Sequence, residues 1–198
     1  MGRKDTGKNF ESEIRRSLKS SRHIWWFRIQ DTNDINRFVK VAVAEKQPAD
    51  FFTVYRSRPI MLEAKTSRNL TSFPLYYGST PAIAKHQIRE GANLERAGGL
   101  SFILIRREEY RNKKTYAITP SQAKYLYSKA YDKKSVKWQW FEEHAYIVER
   151  LKAPLRWNLQ KLYEEALGQK RELNRKATQV ICYLHQVRKV NLLLTSTK

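Results

Sequence analysis

Residues 48–65 read PADFFTVYRSRPIMLEAK and contain two apolar runs that carry charged residues near their ends. Short apolar runs bounded by turn residues predict strands, and the polar connection of residues 56–58 predicts a hairpin turn between them. The hairpin returns Glu63, in the second strand, toward Asp50, at the start of the first. Because residues two apart on a strand share a face, Lys65 is a predicted neighbour of Glu63.

Charged side chains near a sheet core are costly unless they are paired or bound to an ion. Two carboxylates, Asp50 and Glu63, can meet this condition by holding a hard divalent cation through their oxygens. Such acids beside Lys65 are typical of a magnesium-dependent phosphodiester hydrolase, in which the cation activates water and the lysine offsets phosphate charge. The alternative is a surface edge strand that carries an ordinary Glu–Lys pair.

The overall charge predicts an anionic partner. The 198 residues include 39 Lys and Arg against 19 Asp and Glu, a formal net charge of +20. Nucleic acid is the first candidate for such a chain, and non-specific stickiness, a ribosomal role or an anionic membrane surface are the alternatives.

The sequence gives no sign of a membrane span or an export signal. No run approaches the roughly 18 apolar residues that span a bilayer, and residues 1–5 lack the apolar core of a signal peptide. We therefore expect a soluble cytoplasmic protein with no membrane partner, nucleoid-associated or, if virus-encoded, in the host cytoplasm. A single cysteine, Cys182, and the lack of a Cys/His cluster argue against a disulfide scaffold and a zinc site.

Residues 6–18 predict a helix with an N-terminal cap at residue 5 or 6 and one apolar face. Glu11 falls within the arc set by Ile14 and Leu18, whereas Glu13 points to the far side and is expected to contact solvent. An acid on the core side could pair with an arginine, but the nearby strand acids favour a shared site.

The remaining elements alternate between strands and helices. Strands are expected over residues 23–29, 100–105 and 115–118, a second helix over 81–97 after Ser79-Thr80, and a third helix after Thr119. This order predicts an α/β fold, a mixed central sheet flanked by helices. We expect a nuclease domain over residues 1–167 and a basic amphipathic helical extension over 168–198, for which packing or dimerisation is favoured over DNA contact.

Six aromatic residues stand out beyond the strand acids. Core packing is the first expectation for all of them. Stacking on unpaired bases is the alternative for Trp138, Trp140, Tyr76 and Tyr77. Trp25 and Trp26 are expected in the core.

Together these motifs resemble the PD-(D/E)xK nuclease superfamily and, within it, the RecU-like Holliday junction resolvases. The resemblance covers residues 6–120 and implies a restriction-endonuclease-like core. It is carried by GKNFE at 7–11, Asp50, Glu63-Ala64-Lys65, SFPL at 72–75, HQI at 86–88 and GGLSFILIR at 98–106.

The resemblance implies a homodimer that cuts symmetrically paired strands of a four-way DNA junction without a small-molecule cofactor. By position, Glu11, Asp50 and Glu63 would be catalytic acids that hold Mg²⁺, for which Mn²⁺ could substitute. Lys65 would assist the attacking water or the phosphate charge, and Gln87 would be an auxiliary catalytic residue. The alternatives are a nuclease of the same superfamily with a restriction or repair substrate, and a non-catalytic DNA-binding protein.

Overall fold

The computed structural model describes residues 6–29, 47–109, 113–129, 134–151, 156–169 and 171–172. Of these, the residues up to Gln160 belong to one compact unit and those from Lys161 onwards to a second. In the second unit, residues 161–169 and 171–172 are helical. The domain boundary at 167/168 stays a prediction. The polar stretch of residues 30–46 and the basic helical pattern after residue 172 lie outside the described residues.

Within its described residues, the first unit has four helices and twelve strands whose bounds the structure gives. The helices are α1 (Thr6–Ser20), α2 (Lys85–Arg96), α3 (Pro120–Lys129) and α4 (Trp138–His144). The strands are β1 (Trp25–Arg28), β2 (Phe51–Tyr55), β3 (Arg58–Ser67), β4 (Ser72–Pro74), β5 (Tyr76–Tyr77), β6 (Thr80–Pro81), β7 (Leu100–Arg107), β8 (Lys114–Ile118), β9 (Ser135–Lys137), β10 (Tyr146–Val148), β11 (Arg150–Leu151) and β12 (Arg156–Trp157).

Six strands form a central sheet in the order β1-β2-β3-β7-β8-β10. Strands β3 and β7 pair in parallel, and the other neighbours pair antiparallel. The remaining strands form two-stranded pairs, β4 with β9, β5 with β6 and β11 with β12. The predicted mixed sheet of an α/β fold is therefore confirmed. None of the described helices is long and apolar enough to cross a bilayer.

The predicted hairpin joins β2 to β3. Its turn residues Arg56 and Ser57 both have positive φ, 48° and 60°, which suits the twist of a two-residue hairpin connection. Phe51 pairs with Leu62 in the register, so the next position along places Asp50 opposite Glu63. The turn geometry thus sets which residues meet at the open end of the hairpin.

The sheet is covered on both faces. On one face, the core joins side chains of β7 and β8 to α3, α4 and the β4–β6 region, and includes Ile103, Ile105 and Tyr116. On the other face, α1 buries Phe10 and Leu18 completely. Because apolar residues of both faces leave water, β7 is buried along its whole length except for its last residue, which is half-buried.

The second helix begins later than the sequence predicts. Thr80 and Pro81 form β6, paired with β5, and the helix begins at Lys85. The backbone N–H of Ala82 donates to the carbonyl of Leu75 at 2.9 Å, so this segment is held in the hairpin before the helix can begin. The predicted end is confirmed, since Gly98 has a φ of 97° directly after the helix.

The aromatic residues divide between core and surface. Trp138 is buried and Trp140 packs against the same core, as predicted, whereas Trp26 is half-buried. The core prediction is wrong for Trp25, Tyr76 and Tyr77, which are 61%, 39% and 56% exposed. Trp25 lies on β1 at the end of the sheet order, where a side chain has a neighbouring strand on one flank only.

Candidate active site

Asp50 is held at the entry to β2 by backbone hydrogen bonds. Its N–H donates to the carbonyl of Leu62 at 3.1 Å, and its carbonyl accepts from the N–H of Ile29 at 2.9 Å. Its carboxylate Oδ2 accepts from the N–H of Ala64 at 2.7 Å. These bonds connect Asp50 to β3 through both backbone and side chain, so its carboxylate has a defined position beside Glu63.

Glu63 lies in the middle of β3 and is 5% exposed. Its Oε1 is 2.7 Å from the ammonium nitrogen of Lys65, as expected for residues that share a strand face. Its Oε2 is buried and has no hydrogen-bond partner within the described part of the chain. One oxygen of this carboxylate is therefore compensated and the other is not.

Burial and like charge raise the pKa values of both strand acids. Burial, followed by the charge of Glu63, raises the pKa of Asp50 to about 7, although the Ala64 N–H, Lys65 and Arg28 act in the opposite direction. Burial also raises the pKa of Glu63, and the charge of Glu11 adds to this while Lys65 opposes it. Desolvation and like charge both disfavour the ionised forms, which is the condition that a bound cation would relieve.

Gln87 lies on the first turn of α2 and faces Glu63. Its side-chain oxygen accepts from the N–H of Ala84 at 3.0 Å, which closes the start of the helix. Its side chain also lowers the pKa of Glu63. The preceding residue, His86, has its Nε2 3.0 Å from the carbonyl oxygen of Gln47 and so contacts the chain just before Asp50.

Glu11 lies near the strand acids but forms an ion pair of its own. Its Oε2 is 2.6 Å from a guanidinium nitrogen of Arg28 on β1. The charge of Glu11 contributes to the raised pKa of Glu63. Among the described residues, no three or more His, Cys, Asp or Glu side chains are arranged to hold one metal ion. The structure brings Asp50, Glu63 and Lys65 together and leaves Glu11 paired with arginine.

The strand acids fit a hard divalent cation in their donor chemistry. Both offer carboxylate oxygens, the ligands that Mg²⁺ prefers, and the buried Oε2 of Glu63 is uncommitted within the described residues. The raised pKa values of Asp50 and Glu63 point the same way, because a cation would stabilise both ionised groups.

The family model described as Recombination protein U matches residues 7–164, which is most of the chain. The chain belongs to the RecU family. Membership makes it a Holliday junction resolvase, a nuclease of DNA recombination that binds branched DNA. The resemblance seen in the sequence motifs is therefore confirmed at the level of the family.

The other comparisons add little to the RecU assignment. A matching solved structure is that of Hjc from Archaeoglobus fulgidus, described as a Holliday junction resolvase from an archaeal hyperthermophile. The two chains are 10% identical, the match covers 66% of this chain and 82% of that chain, and the TM-score is 0.36. No curated protein sequence matches this RecU chain significantly. Membership in the family rests on the family model.

A buried ionic network beneath α1 of this RecU protein was missed by sequence reasoning. Glu13, expected in solvent, is 3% exposed, and its Oε2 is 2.6 Å from a guanidinium nitrogen of Arg106. The indole N–H of Trp157 donates to the same oxygen at 3.2 Å. Arg106 also pairs with Glu108, and its guanidinium carbon lies 4.5 Å from the ring centroid of Phe10.

Two sequence signals could have revealed this network. Positions 10, 13, 14, 17 and 18 of α1 are all buried, the spacing of a helix face that is wider than the one assumed. An arginine at the end of the apolar run in β7 is also a charge that requires a partner. The network fixes α1, the helix that carries Glu11, to β7 and β12.

Proposed function

We propose that this RecU protein resolves four-way junctions by Mg²⁺-dependent hydrolysis of phosphodiester bonds at Asp50 and Glu63. The observation that carries the proposal is a pair of adjacent strand acids with raised pKa values, the half-buried Asp50 and the buried Glu63, of which Glu63 has an uncommitted oxygen among the described residues. Asp50 and Glu63 would hold the cation, and Glu11 is the third acid of the site. The bound cation would supply an activated water and offset charge on the phosphate.

The chain's own side chains would position the reacting groups. Lys65, held 2.7 Å from Glu63 and 24% exposed in its side chain, presents an ammonium group that can orient water or stabilise phosphate oxygens. Gln87, at the start of α2, would position Glu63, whose pKa its side chain lowers. Arg28 places a second cation near Asp50, since it lowers the pKa of that residue.

Symmetric resolution needs two active sites, because a junction is resolved by cutting two strands. We therefore propose a homodimer in which each copy supplies one Asp50–Glu63 pair. Light scattering at cleavage concentrations would give twice the monomer mass, and a monomer that still makes paired cuts would contradict the dimer.

A cleavage assay on three substrates tests the proposal. Purified protein with Mg²⁺ or Mn²⁺ is offered an immobile four-way junction, a Y-fork and a linear duplex at matched concentrations. We expect paired symmetric nicks confined to the junction, and no cleavage by Asp50→Ala although it still binds. Glu143→Ala, which removes an exposed acid of α4, is the matched control and should cut normally. Undiminished cutting by Asp50→Ala would refute the site, and equal cutting of the duplex would indicate a restriction or repair substrate.

Binding without cleavage gives a second test. The net charge of +20 predicts that affinity arises largely from phosphate contacts. In the absence of divalent metal, the logarithm of the junction association constant should fall linearly with the logarithm of salt concentration. The slope should be about −0.9 for each neutralised phosphate, and a flat response would contradict this mode of binding.

A further inference from the structure

A groove of about 1000 Å³ lies between α2, α3 and the β5–β6 hairpin. We call it the basic groove. The strand acids, Lys65 and Glu11 are not part of its lining, so it is a separate surface from the candidate active site. Its lining comprises Tyr76, Gly78, Ser79, Pro81, Ile83, Lys85, Ile88, Arg89, Ala92, Asn93, Arg96, Lys124, Tyr127 and Lys134.

The charges of this lining are of one sign. Five of the lining residues are Lys or Arg and none is Asp or Glu. Lys85, Lys124 and Lys134 form no ion pair with any described residue, whereas Arg89 pairs through its Nε with Glu90 at 2.8 Å. Basic residues with few acidic partners give the groove a positive electrostatic potential, which attracts a polyanion.

The basic residues of α2 that line the groove form a row along the helix. Lys85, Arg89 and Arg96 lie four and seven residues apart, so they share one helix face along the groove. Lys124 and Lys134 also line the groove, and all five side chains are exposed. A row of cations on one side of a groove matches the repeated phosphates of a nucleic acid strand.

Two tyrosine side chains, Tyr76 and Tyr127, also line the groove. Tyr76 packs edge-on with Tyr127, with ring centroids 5.6 Å apart and an interplanar angle of 87°. The Tyr127 hydroxyl donates to the carbonyl of Leu75 at 3.0 Å and accepts from the N–H of Ile83 at 2.9 Å. Tyr127 is thus fixed, and Tyr76, 39% exposed, presents a ring supported from behind. A T-shaped contact covers at most one face of each ring, so Tyr76 keeps a face for stacking.

We propose that the basic groove binds single-stranded DNA, with a base stacked on Tyr76 and the phosphates along the cations of α2. A tyrosine face can stack only on a base that is unpaired, because the bases of a duplex are covered by their neighbours. A concave groove also suits one strand better than the convex surface of a duplex.

Fluorescence anisotropy with a short labelled oligothymidylate, in EDTA, tests the proposal on the full chain. Tyr76→Leu should weaken binding about tenfold, within the range for losing one stacked base, and Tyr76→Phe should restore it because the ring is retained. Tyr125→Leu is the matched control, an exposed tyrosine of α3 that does not line the groove. Thermal melting of each variant checks that it is folded.

Charge-reversal variants inside and outside the groove test whether binding depends on the groove or only on the net positive charge of the protein. Lys124→Glu/Lys134→Glu should weaken oligothymidylate binding more than tenfold and reduce its salt dependence. Lys19→Glu, an exposed cation at the end of α1, should change binding only slightly.

Several outcomes would overturn the proposal. Wild-type binding by Tyr76→Leu would exclude stacking on that ring, and equal losses from the groove and control variants would exclude the groove. Displacement of the probe by linear duplex as readily as by unlabelled oligothymidylate would exclude single-strand preference, and stronger displacement by oligouridylate would exclude DNA. Because EDTA prevents hydrolysis, none of these results depends on whether Asp50 and Glu63 hold a metal.

Discussion

Two buried glutamates of this protein have opposite surroundings. Glu13, 3% exposed, contacts Arg106, Lys113 and the indole N–H of Trp157, so both of its oxygens have partners. Glu63, 5% exposed, contacts Lys65 through one oxygen, and its other oxygen is uncommitted among the described residues.

The balance of charge around each glutamate explains the difference. Near Glu13, two cations, Arg106 and Lys113, face two acids, Glu13 and Glu108. Near Glu63, burial and the charge of Glu11 raise the pKa of Glu63, and Lys65 opposes this. The charge of Glu63 in turn adds to the raised pKa of Asp50. A fully paired buried network holds helices and strands together, whereas acids whose ionised forms are disfavoured by burial and like charge can be stabilised by a cation. Burial alone therefore does not separate a structural acid from a functional one.

The largest expected effect is on catalysis. Asp50→Asn keeps the shape of the side chain but removes its charge, so single-turnover cleavage of a labelled junction should fall about a thousandfold or more, which corresponds to about 4 kcal/mol. Glu13→Gln should cut within a few-fold of wild type at a temperature where it is folded. If both variants lost activity equally while folded, the division between the two acids would be wrong.

The next effect is on stability, where we expect the change at Glu13 to matter more than the change at Glu63. Glu13→Gln leaves Arg106 buried without its main partner, so the free energy of unfolding should fall by about 3–5 kcal/mol. Glu63→Gln should cost much less, because it removes a charge whose ionised form is already disfavoured by burial. Urea denaturation measures both, and the double variant Glu13→Gln/Arg106→Met should lose less than the sum of the two single losses. Equal losses from Glu13→Gln and Glu63→Gln would contradict the comparison.

Metal binding sharpens the contrast further. At a hundred times its dissociation constant, Mg²⁺ should stabilise the wild-type protein by about 2.7 kcal/mol, since it binds the folded state. Glu63→Gln should lose this gain, while Glu13→Gln should keep it relative to its own metal-free form. Calorimetric titration with Mn²⁺ provides the independent readout, and heat that persists in Glu63→Gln would place the metal elsewhere.

The remaining prediction concerns the dependence of stability on pH in metal-free protein. The pKa of Asp50 is raised from 3.8 to about 7, so between these values the folded state binds more protons than the unfolded state. The contribution of Asp50 should therefore lower stability as pH rises from about 4 to about 7 and then level off. Subtracting the Asp50→Asn curve isolates this slope, and saturating Mg²⁺ should abolish it. A difference curve that rises with pH would reverse the assigned pKa direction.

The sequence alone was sufficient to predict which residues meet at the open end of the β2–β3 hairpin. Apolar runs, a short polar turn and the period of two placed Glu63 beside Lys65 and opposite Asp50, and the structure agrees. These are local features, because a two-residue turn determines the register of the strands that it joins. The mixed sheet was predicted from the order of strand and helix patterns along the chain, which is also read directly from the sequence.

The sequence was insufficient wherever a residue's environment came from a distant segment. The helical pattern predicts solvent for Glu13, because its partners, Arg106 and Trp157, lie more than ninety residues away in the chain. The cap signal predicts a helix at Pro81, because the pairing of Pro81 with Tyr76 is not visible in the sequence. Aromatic character predicts a core position for Tyr76, whereas the structure exposes this side chain beside α2 and α3.

The amino-acid sequence by itself determined which strand positions carry the acids, since side-chain alternation is a property of the backbone. It also determined the excess of positive charge, which requires no folding. Only the tertiary structure decided which buried acid is neutralised and which is not, and which cations gather into a groove. The physical reason is that electrostatic energy depends on distance and burial, and both are set when segments far apart in the chain pack together.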